Sequence, residues 1–361
     1  MLPEIGSNFW LDPDDDYSFE SELSVSKFGY KGKDTVLLST GRSAENMVLD
    51  DVESRYPNIN KVAIVPPYTC HTVLKPFYKH GYELYTYRVS LNLETSAADL
   101  RKEIEDKNPG IVLIHRYFGF DTVVGCHDII DEYSEKGVIF IEDGTQSLFS
   151  GYESLNTDYY TGSLRKWAGL PDGGFAVSKR TLFSAKPDEY DDKLTDAKLS
   201  ASFEKNSYIQ GLPVEKQHFL SLYAEAEQIL NSQTKYYKMS PVSIVVFNKL
   251  NIKELIKRRR ENYSCLFERV KGREHIRPIL GQLTEEVVPF YFPIYVDDRK
   301  EFQTRLREER IYAPIVWPLP DKAPRICNEA KELYDHLICI PIDQRYGIDD
   351  MMRIIDCMEK L

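Results

Sequence analysis

A lysine stands inside a turn of small residues, directly after an apolar segment. The stretch "GSLRKWAGLPDGGFAV", residues 162–177, places Ser163 three residues before Lys166 and a Gly-Gly pair behind it. A lysine on an ordinary surface is a solvated side chain and needs no such setting. A partly desolvated lysine at the end of a strand has a lowered pKa and can act as a nucleophile or a base. The stretch therefore predicts a reactive amine at position 166.

Two adjacent carboxylates end a continuous apolar strand in "VIFIEDGTQSL", residues 138–148. A carboxylate at the buried edge of a sheet is costly unless it meets a cation or several hydrogen-bond donors. Asp143 could also cap the next helix. Metal binding is the weaker interpretation, because no partner ligands stand at useful spacing. We therefore predict no metal site and expect Asp143 to face a cation.

Two further strand ends carry polar groups. In "LLSTGRSAE" a strand passes through a turn into a helix, where Arg42 and Ser43 stand beside free backbone N–H groups. Such a helix start can hold an anion, although a serine there is more often an ordinary cap. In "VPPYTCHTV" the strand ends in Tyr68, Cys70 and His71, which could stack on a flat ring or simply form a proline-stopped loop.

Pyridoxal phosphate would use all four strand ends at once. It needs a lysine for its aldehyde, a carboxylate for its ring nitrogen, an anion site for its phosphate and a flat partner for its ring. Lys166 and Asp143 have the required residue types on neighbouring strands. The sequence therefore predicts pyridoxal phosphate as the cofactor.

The elements that must position these residues alternate between strands and helices. Seven strand-like runs are separated by helical runs of roughly 10–15 residues, which indicates an α/β fold with a mostly parallel sheet covered on both faces. In such a sheet, ligands gather at the carboxyl ends of the strands. The seven runs are "DTVLLST", "KVAIVPP", "YELYTYRV", "GIVLIHR", "GVIFIED", "DYYTGSL" and "GGFAVSK".

The rest of the chain divides by composition. Residues 181–245 are charged and helical, and after them a strand–helix–strand–helix pattern indicates a small α+β domain. In that pattern "VVPFYFPIYV" and "YAPIVWPL" are the predicted strands. We predict an N-terminal arm over 1–19, a large domain over 20–247 and a small C-terminal domain over 248–361.

Composition excludes several classes of protein. The 361 residues carry a net charge of −11, which argues against general binding to nucleic acid or to anionic membranes. The basic run at 257–263 is the exception, and a solvated helix face is its simplest interpretation. No apolar run approaches 18 residues, and no signal peptide is recognisable. Six cysteines lack ligand or disulfide spacing, so we expect a reduced, cytoplasmic protein.

The chain resembles a known family. Over nearly its whole length it is similar to fold-type I pyridoxal-phosphate enzymes, specifically the DegT/StrS family of sugar aminotransferases. The combination of Asp143, Gln146 and Lys166 is the specific part of the resemblance. The supporting segments are "IGSNFWLD", "LSTGRSAE", "PPYTCHTV", "HRYFGFD", "IEDGTQSL", "RLREERIYAPIVWPLP" and "ICIPIDQRYGIDDM".

The resemblance implies a role for each matched residue. Lys166 would bind the cofactor's aldehyde, Asp143 its ring nitrogen, and Gln146 would lie near its 3-hydroxyl. The ring would stack on Tyr68, Cys70 or a neighbour. The phosphate would be held by Arg42, Ser43 and Ser163. Three departures stand out: "SLRK" replaces the family's "SFHxxK", Cys70 stands where an aromatic residue is usual, and no "GxNxR" segment is recognisable.

The resemblance also implies the reaction and its partners. The expected activity is transfer of an amino group, from glutamate, to a keto-sugar linked to a nucleotide, within a homodimer. The alternatives are another pyridoxal-phosphate reaction, such as dehydration or lyase chemistry, or a non-catalytic protein that kept the fold. Lys166 argues against the family's dehydratases, which have histidine there. We expect the substrate to lie among Trp10, Arg116, Tyr117 and Trp317, although both tryptophans could instead pack the domain junction.

Overall fold

A seven-stranded sheet forms the centre of the computed structural model, which describes residues 3–18, 23, 29–233 and 235–360. The strands, in chain order, are β1 (Ile5–Gly6), β2 (Asp34–Leu38), β3 (Val62–Val65), β4 (Glu83–Thr86), β5 (Ile111–His115), β6 (Ile139–Asp143), β7 (Tyr159–Ser163), β8 (Gly174–Ser178), β9 (Ile276–Pro278), β10 (Phe292–Val296), β11 (Ile311–Tyr312) and β12 (Leu337–Ile340). The central sheet has the order β2-β8-β7-β6-β5-β3-β4. Only β8 runs antiparallel to its neighbours, so the predicted mostly parallel seven-stranded sheet is confirmed.

Eleven helices occur within the described residues. They are α1 (Gly41–Arg55), α2 (His71–Lys79), α3 (Ala97–Lys107), α4 (His127–Glu135), α5 (Asp192–Ile209), α6 (Lys216–Ser232), α7 (Pro241–Lys249), α8 (Ile252–Val270), α9 (Arg299–Glu308), α10 (Asn328–His336) and α11 (Ile348–Glu359). Within these ranges no helix is both long enough and apolar enough to cross a membrane.

The sheet is covered on both faces, as the continuous apolar strands predict. Successive residues of β3 contribute alternately to two apolar cores, because side chains alternate between the faces of a strand. Ala63 and Val65 belong to one core and Ile64 to the other. A layer on each face removes the strands from water and leaves their carboxyl ends as the accessible edge.

The C-terminal part has its own antiparallel sheet, of order β12-β10-β9, and its own apolar core. Ile5 of the N-terminal arm joins that core, because β1 pairs in parallel with β11. The predicted boundary at 247/248 falls near the end of α7, and the boundary at 19/20 lies outside the described residues. The division into domains stays a prediction.

One predicted strand is largely wrong. Only the first residue of "YAPIVWPL", Tyr312, is in a strand, and the rest of the segment is irregular. Pro314 and Pro318 explain this, because a proline donates no hydrogen bond to a sheet. In the small sheet β10 instead pairs with the short strands β9 and β12, which were not predicted.

Candidate functional site

A cavity of about 440 Å³ opens at the carboxyl ends of the central strands. Its volume is within the usual range for a small-molecule site. Eight of the predicted site residues line it: Arg42, Cys70, Arg116, Asp143, Gln146, Ser163, Lys166 and Trp317. The fold thus brings together residues that are as far apart as 275 positions in the chain.

Lys166 ends a short 3-10 turn that follows β7 directly. The turn is fixed at both ends. The Leu164 N–H donates to the Gly173 carbonyl at 3.1 Å, and the Trp167 indole N–H donates to the Thr145 carbonyl at 2.7 Å. Gly173 has a φ of +132°, a conformation that side-chain-bearing residues rarely adopt. The glycine and the buried tryptophan therefore explain the unusual setting of the lysine.

The side chain of Lys166 is exposed to the space of the cavity. Loss of hydration inside the cavity, and then the positive charge of Arg165, lower its pKa to about 8. More of this amine is therefore unprotonated near neutral pH than of an ordinary lysine. An unprotonated amine can attack a carbonyl carbon and can accept a proton.

Asp143 lies at the end of β6, opposite His115 of β5 in the strand register. Its Oδ1 accepts a 2.9 Å hydrogen bond from the Thr145 N–H, and its Oδ2 lies 3.3 Å from His115 Nε2. Burial acts to raise the pKa of Asp143, but His115 and Thr145 outweigh it and the pKa is lowered. The cavity therefore contains a carboxylate that is ionised at neutral pH. The sequence analysis gave His115 no role, although it ends the strand adjacent to that of Asp143.

The start of α1 forms another part of the wall. Thr40 caps the helix by accepting a 3.0 Å hydrogen bond from the Ser43 N–H. Gly174 allows the strand β8 to lie against this start, since a Cβ there would be 2.3 Å from the Thr40 carbonyl carbon. Unpaired N–H groups in the first turn of the 15-residue helix attract anions, and Arg42 stands beside them.

Four predicted residues do not reach the cavity. The hydroxyl of Ser43 lies 2.9 Å from that of Thr40, within the helix cap. Tyr68 and Tyr117 are each 1% exposed and pack behind Trp317, with ring centroids 5.0 and 6.3 Å from it. Trp10 packs instead against Lys205, whose ammonium is 5.1 Å from the ring centroid.

This result reduces the number of residues that could stack on a bound ring. Cys70 and His71 line the cavity, whereas the neighbouring Tyr68 points into the aromatic cluster around Trp317. The sequence could not show which of these three residues faces the cavity, because they lie within four positions of one another in the chain.

Arg116 lines the cavity but is already bound to protein groups. Its Nη2 donates to the Glu153 carbonyl at 2.8 Å, and its Nε lies 3.8 Å from the carboxylate of Glu142. Glu142 is completely buried, and its other contact is a 3.1 Å hydrogen bond from Tyr30. Arg116 therefore balances a buried charge, and its predicted contact with substrate stays a prediction.

Seven buried polar atoms in the wall have no hydrogen-bond partner among the described residues. Gln146 Nε2, Thr161 Oγ1 and Glu45 Oε1 are three of them. Unpaired buried polar groups are rare in proteins, and they point to a polar ligand that completes them. Burial, and next the charge of Asp143, raise the pKa of Glu45 well above its usual range. Glu45 was missed in the sequence, because a glutamate on a helix is ordinarily solvated.

No metal site emerges from the same region. Across 3–18, 23, 29–233 and 235–360, the structure contains no group of three or more histidine, cysteine, aspartate or glutamate side chains that could hold an ion.

Comparisons with known proteins support the fold. No protein-family model and no curated protein matches the sequence. Solved structures do match. The sugar aminotransferase CalS13 from Micromonospora echinospora has a TM-score of 0.65 at 16% identity, over 90% of this chain and 87% of that one. Spr1654 of Streptococcus pneumoniae, a sugar aminotransferase in its PLP form, has 0.64 at 15% identity, over 91% and 88%.

A third match carries the name of the family that the sequence resembles. The DegT/DnrJ/EryC1/StrS aminotransferase from Brucella abortus has a TM-score of 0.62 at 16% identity, over 91% of this chain and 86% of that one. At these identities the likeness concerns the fold. The chain has the fold of the fold-type I sugar aminotransferases.

Proposed function

We propose that this protein is a pyridoxal-phosphate-dependent aminotransferase that acts on a sugar. The observation that carries the proposal is the joint position of Lys166 and Asp143 in one cavity, the first with a lowered pKa and the second ionised. The structural neighbours support it, since two of them are PLP and PMP forms of a single sugar aminotransferase.

The residues present fit the cofactor. Asp143 offers a carboxylate to a protonated ring nitrogen, and the unpaired Gln146 Nε2 offers a donor to a ring substituent. The start of α1, with Arg42 and Ser163 beside it, offers an anion site for the phosphate. Cys70 and His71 are placed to contact a ring face. When bound, pyridoxal phosphate withdraws electrons from the carbon that carries the amino group.

The protein's own groups then perform three tasks. Lys166 Nζ would bind the cofactor and, once released from it, would move a proton between the substrate carbon and the cofactor. Asp143, ionised beside His115, would hold the ring nitrogen in its protonated form. The buried wall around Trp317 excludes water from the reacting carbon.

The substrates are the finer part of the proposal. By resemblance, glutamate is the amino donor and a nucleotide-linked keto-sugar is the acceptor. DesV and PseC, two further structural neighbours, are described as a complex with a ketimine intermediate and as an enzyme of pseudoaminic acid biosynthesis. The description of PseC as an aminotransferase supports amino transfer for this chain.

A substrate panel tests the reaction. The pyridoxamine-phosphate form of the protein should convert to the pyridoxal form when mixed with its keto-sugar, and mass spectrometry should find an amino-sugar product. Nucleotide-linked keto-sugars, free keto-sugars and simple 2-oxo acids form the panel. Conversion by 2-oxo acids alone, with no sugar accepted, would contradict the sugar as substrate.

We also propose that the active unit is a homodimer. The antiparallel pair of helices α5 and α6 shares only a small apolar core, and the large side chains of Leu212 and Leu220 are exposed there. Contact with a second copy of the chain across a two-fold axis would bury these two leucines. Sedimentation velocity over a dilution series tests this, and a fully active monomer would contradict it.

A further inference from the structure

A second cavity, of about 200 Å³, adjoins the first on the other side of Lys166. We call it the annex. The two cavities share five residues: Arg165, Lys166, Glu227, Phe290 and Tyr291. The remaining wall comes from the N-terminal arm at 7–9, from residues 168–171 after the lysine turn, from α5 and α6, and from the C-terminal part of the chain. A group bound in the annex would therefore lie next to the reactive amine.

The wall of the annex is strongly cationic. Five basic side chains (Arg165, Lys166, Lys198, Arg259 and Arg345) face two carboxylates (Glu227 and Asp343). Asp343 is neutralised by Arg345, whose guanidinium donates to both of its oxygens, at 2.7 and 2.8 Å. The annex therefore has more positive charge than its own carboxylates neutralise.

The excess charge is concentrated at Arg165 and Lys198. A single oxygen, Glu227 Oε1, serves both of them: it lies 2.7 Å from Lys198 Nζ and 3.5 Å from Arg165 Nη1. The buried Nε–H of Arg165 has no hydrogen-bond partner within the described part of the chain. Two cations that share one carboxylate oxygen, one of them with an unused donor, form an incomplete anion site.

Contacts within the protein fix the part of the annex wall that the N-terminal arm forms. Lys205 Nζ donates to Ser7 Oγ at 2.7 Å, and Arg345 donates to the carbonyl of Asn8 at 3.0 Å. Ser7 also has a positive φ of 66°, so the arm makes a tight bend at this point. These contacts join the arm to α5 and to the C-terminal part, and they give the annex a fixed shape.

We propose that the annex binds the anionic group of the substrate, a carboxylate or a phosphate, through Arg165 and Lys198. This inference rests on the proposed function, because it places the substrate's reacting carbon at Lys166. The volume of the annex corresponds to about seven water molecules, at about 30 Å³ each. It is below the range of about 300–1,000 Å³ for a whole ligand, so it accommodates one anionic group and not a complete nucleotide.

Calorimetry on the cofactor-loaded protein tests the proposal. Two probes, glutarate and inorganic phosphate, are titrated at constant ionic strength, so that the first represents an amino-acid donor and the second a sugar phosphate. Wild-type protein should bind at least one of them. Because hydrogen bonds between charged groups are among the stronger ones, Arg165→Gln and Lys198→Gln should each weaken that binding about tenfold or more.

Lys193→Gln is the matched control, since Lys193 lies exposed on the same helix as Lys198 and does not line the annex. It should bind the probes as wild type does. Cofactor content is measured in every sample by absorbance. If Arg165→Gln loses the cofactor, Lys198→Gln decides the question alone.

The outcomes separate this inference from the proposed function. A loaded protein that binds neither probe, or whose binding is the same in Lys198→Gln, overturns the annex as an anion site and leaves the aminotransferase proposal standing. A protein that never takes up pyridoxal phosphate overturns the proposed function itself. Binding of phosphate but not glutarate, with loss in Lys198→Gln, supports a phosphorylated substrate; the reverse supports a dicarboxylate donor.

Discussion

Asp143 and His115 face each other across the neighbouring strands β6 and β5, with the Nε2 of the histidine 3.3 Å from Oδ2 of the carboxylate. The imidazole, together with the N–H of Thr145, keeps a largely buried carboxylate ionised. A carboxylate without such neighbours would take up a proton on burial. The pairing of these two strand ends is therefore the basis on which the cavity can hold a cationic ring.

Asp143→Asn should abolish most amino transfer while the cofactor still attaches to Lys166. The amide preserves the shape but removes the charge that keeps the ring nitrogen protonated. We expect turnover to fall at least about a hundredfold. Single-turnover absorbance measurements check this, with His115→Gln as a milder companion variant. Near-normal turnover in Asp143→Asn would overturn the proposed mechanism.

Arg116→Ala should destabilise the fold. The change leaves the completely buried Glu142 without its cation, and removal of one partner from a buried pair costs about 3–5 kcal/mol. Urea unfolding monitored by circular dichroism measures the loss. The double variant Arg116→Met/Glu142→Gln should recover much of it, because the fully buried carboxylate is then gone and Asp121, 3.5 Å from Arg116 Nε, is partly exposed to water. If Arg116→Ala instead keeps its stability and raises only KM, the residue binds substrate.

Trp317→Ala should raise KM for one substrate without loss of the cofactor. Trp317 lines the cavity and is backed by Tyr68 and Tyr117, so its removal enlarges the substrate side of the wall. Tyr117→Phe is a suitable control, because this ring lies behind Trp317, outside the cavity lining, and its hydroxyl has no hydrogen-bond partner among the described residues. A variant that no longer holds pyridoxal phosphate would show that Trp317 has a structural role.

The rate of cofactor attachment should depend on pH with a midpoint near 8. In the cofactor-free protein, burial and Arg165 lower the pKa of Lys166 to about 8. Only the unprotonated amine attacks an aldehyde, so the rate should rise through pH 8 and level off above it. Stopped-flow absorbance with excess pyridoxal phosphate measures this profile.

Arg165→Gln provides the control for that profile. Removal of a neighbouring positive charge favours the protonated amine, so the midpoint should move to higher pH. A wild-type midpoint close to the ordinary value for lysine, or a midpoint unchanged in the variant, would contradict the assigned environment of Lys166.

Much of the fold and the centre of the site could be predicted from sequence. Apolar runs bounded by turns located all seven central strands, residue types at their ends selected Lys166 and Asp143, and the family resemblance added Gln146. Chain pattern could not show the direction of individual side chains. Tyr68 and Tyr117 stand beside the cavity in sequence but turn into the aromatic cluster behind Trp317, where burial of large rings is favourable.

The missed features depend on contacts between distant segments. Glu45 and Lys198 look like ordinary charged positions on helices, and only the packed structure brings the first beside Asp143 and the second beside Arg165. Likewise β9 has three residues, too few for a periodic pattern to be visible. Its pairing with β10 defines it as a strand.

Chemical labelling of Lys166 tests the central claim most directly. The protein is loaded with pyridoxal phosphate, reduced with borohydride, digested and mapped by mass spectrometry. The account predicts one cofactor-modified lysine, Lys166, with the label absent from Lys166→Ala and retained in Lys198→Gln, the variant of the other lysine in the annex wall. Modification of Lys198 or any other lysine in place of Lys166, or no modification after loading, would contradict it.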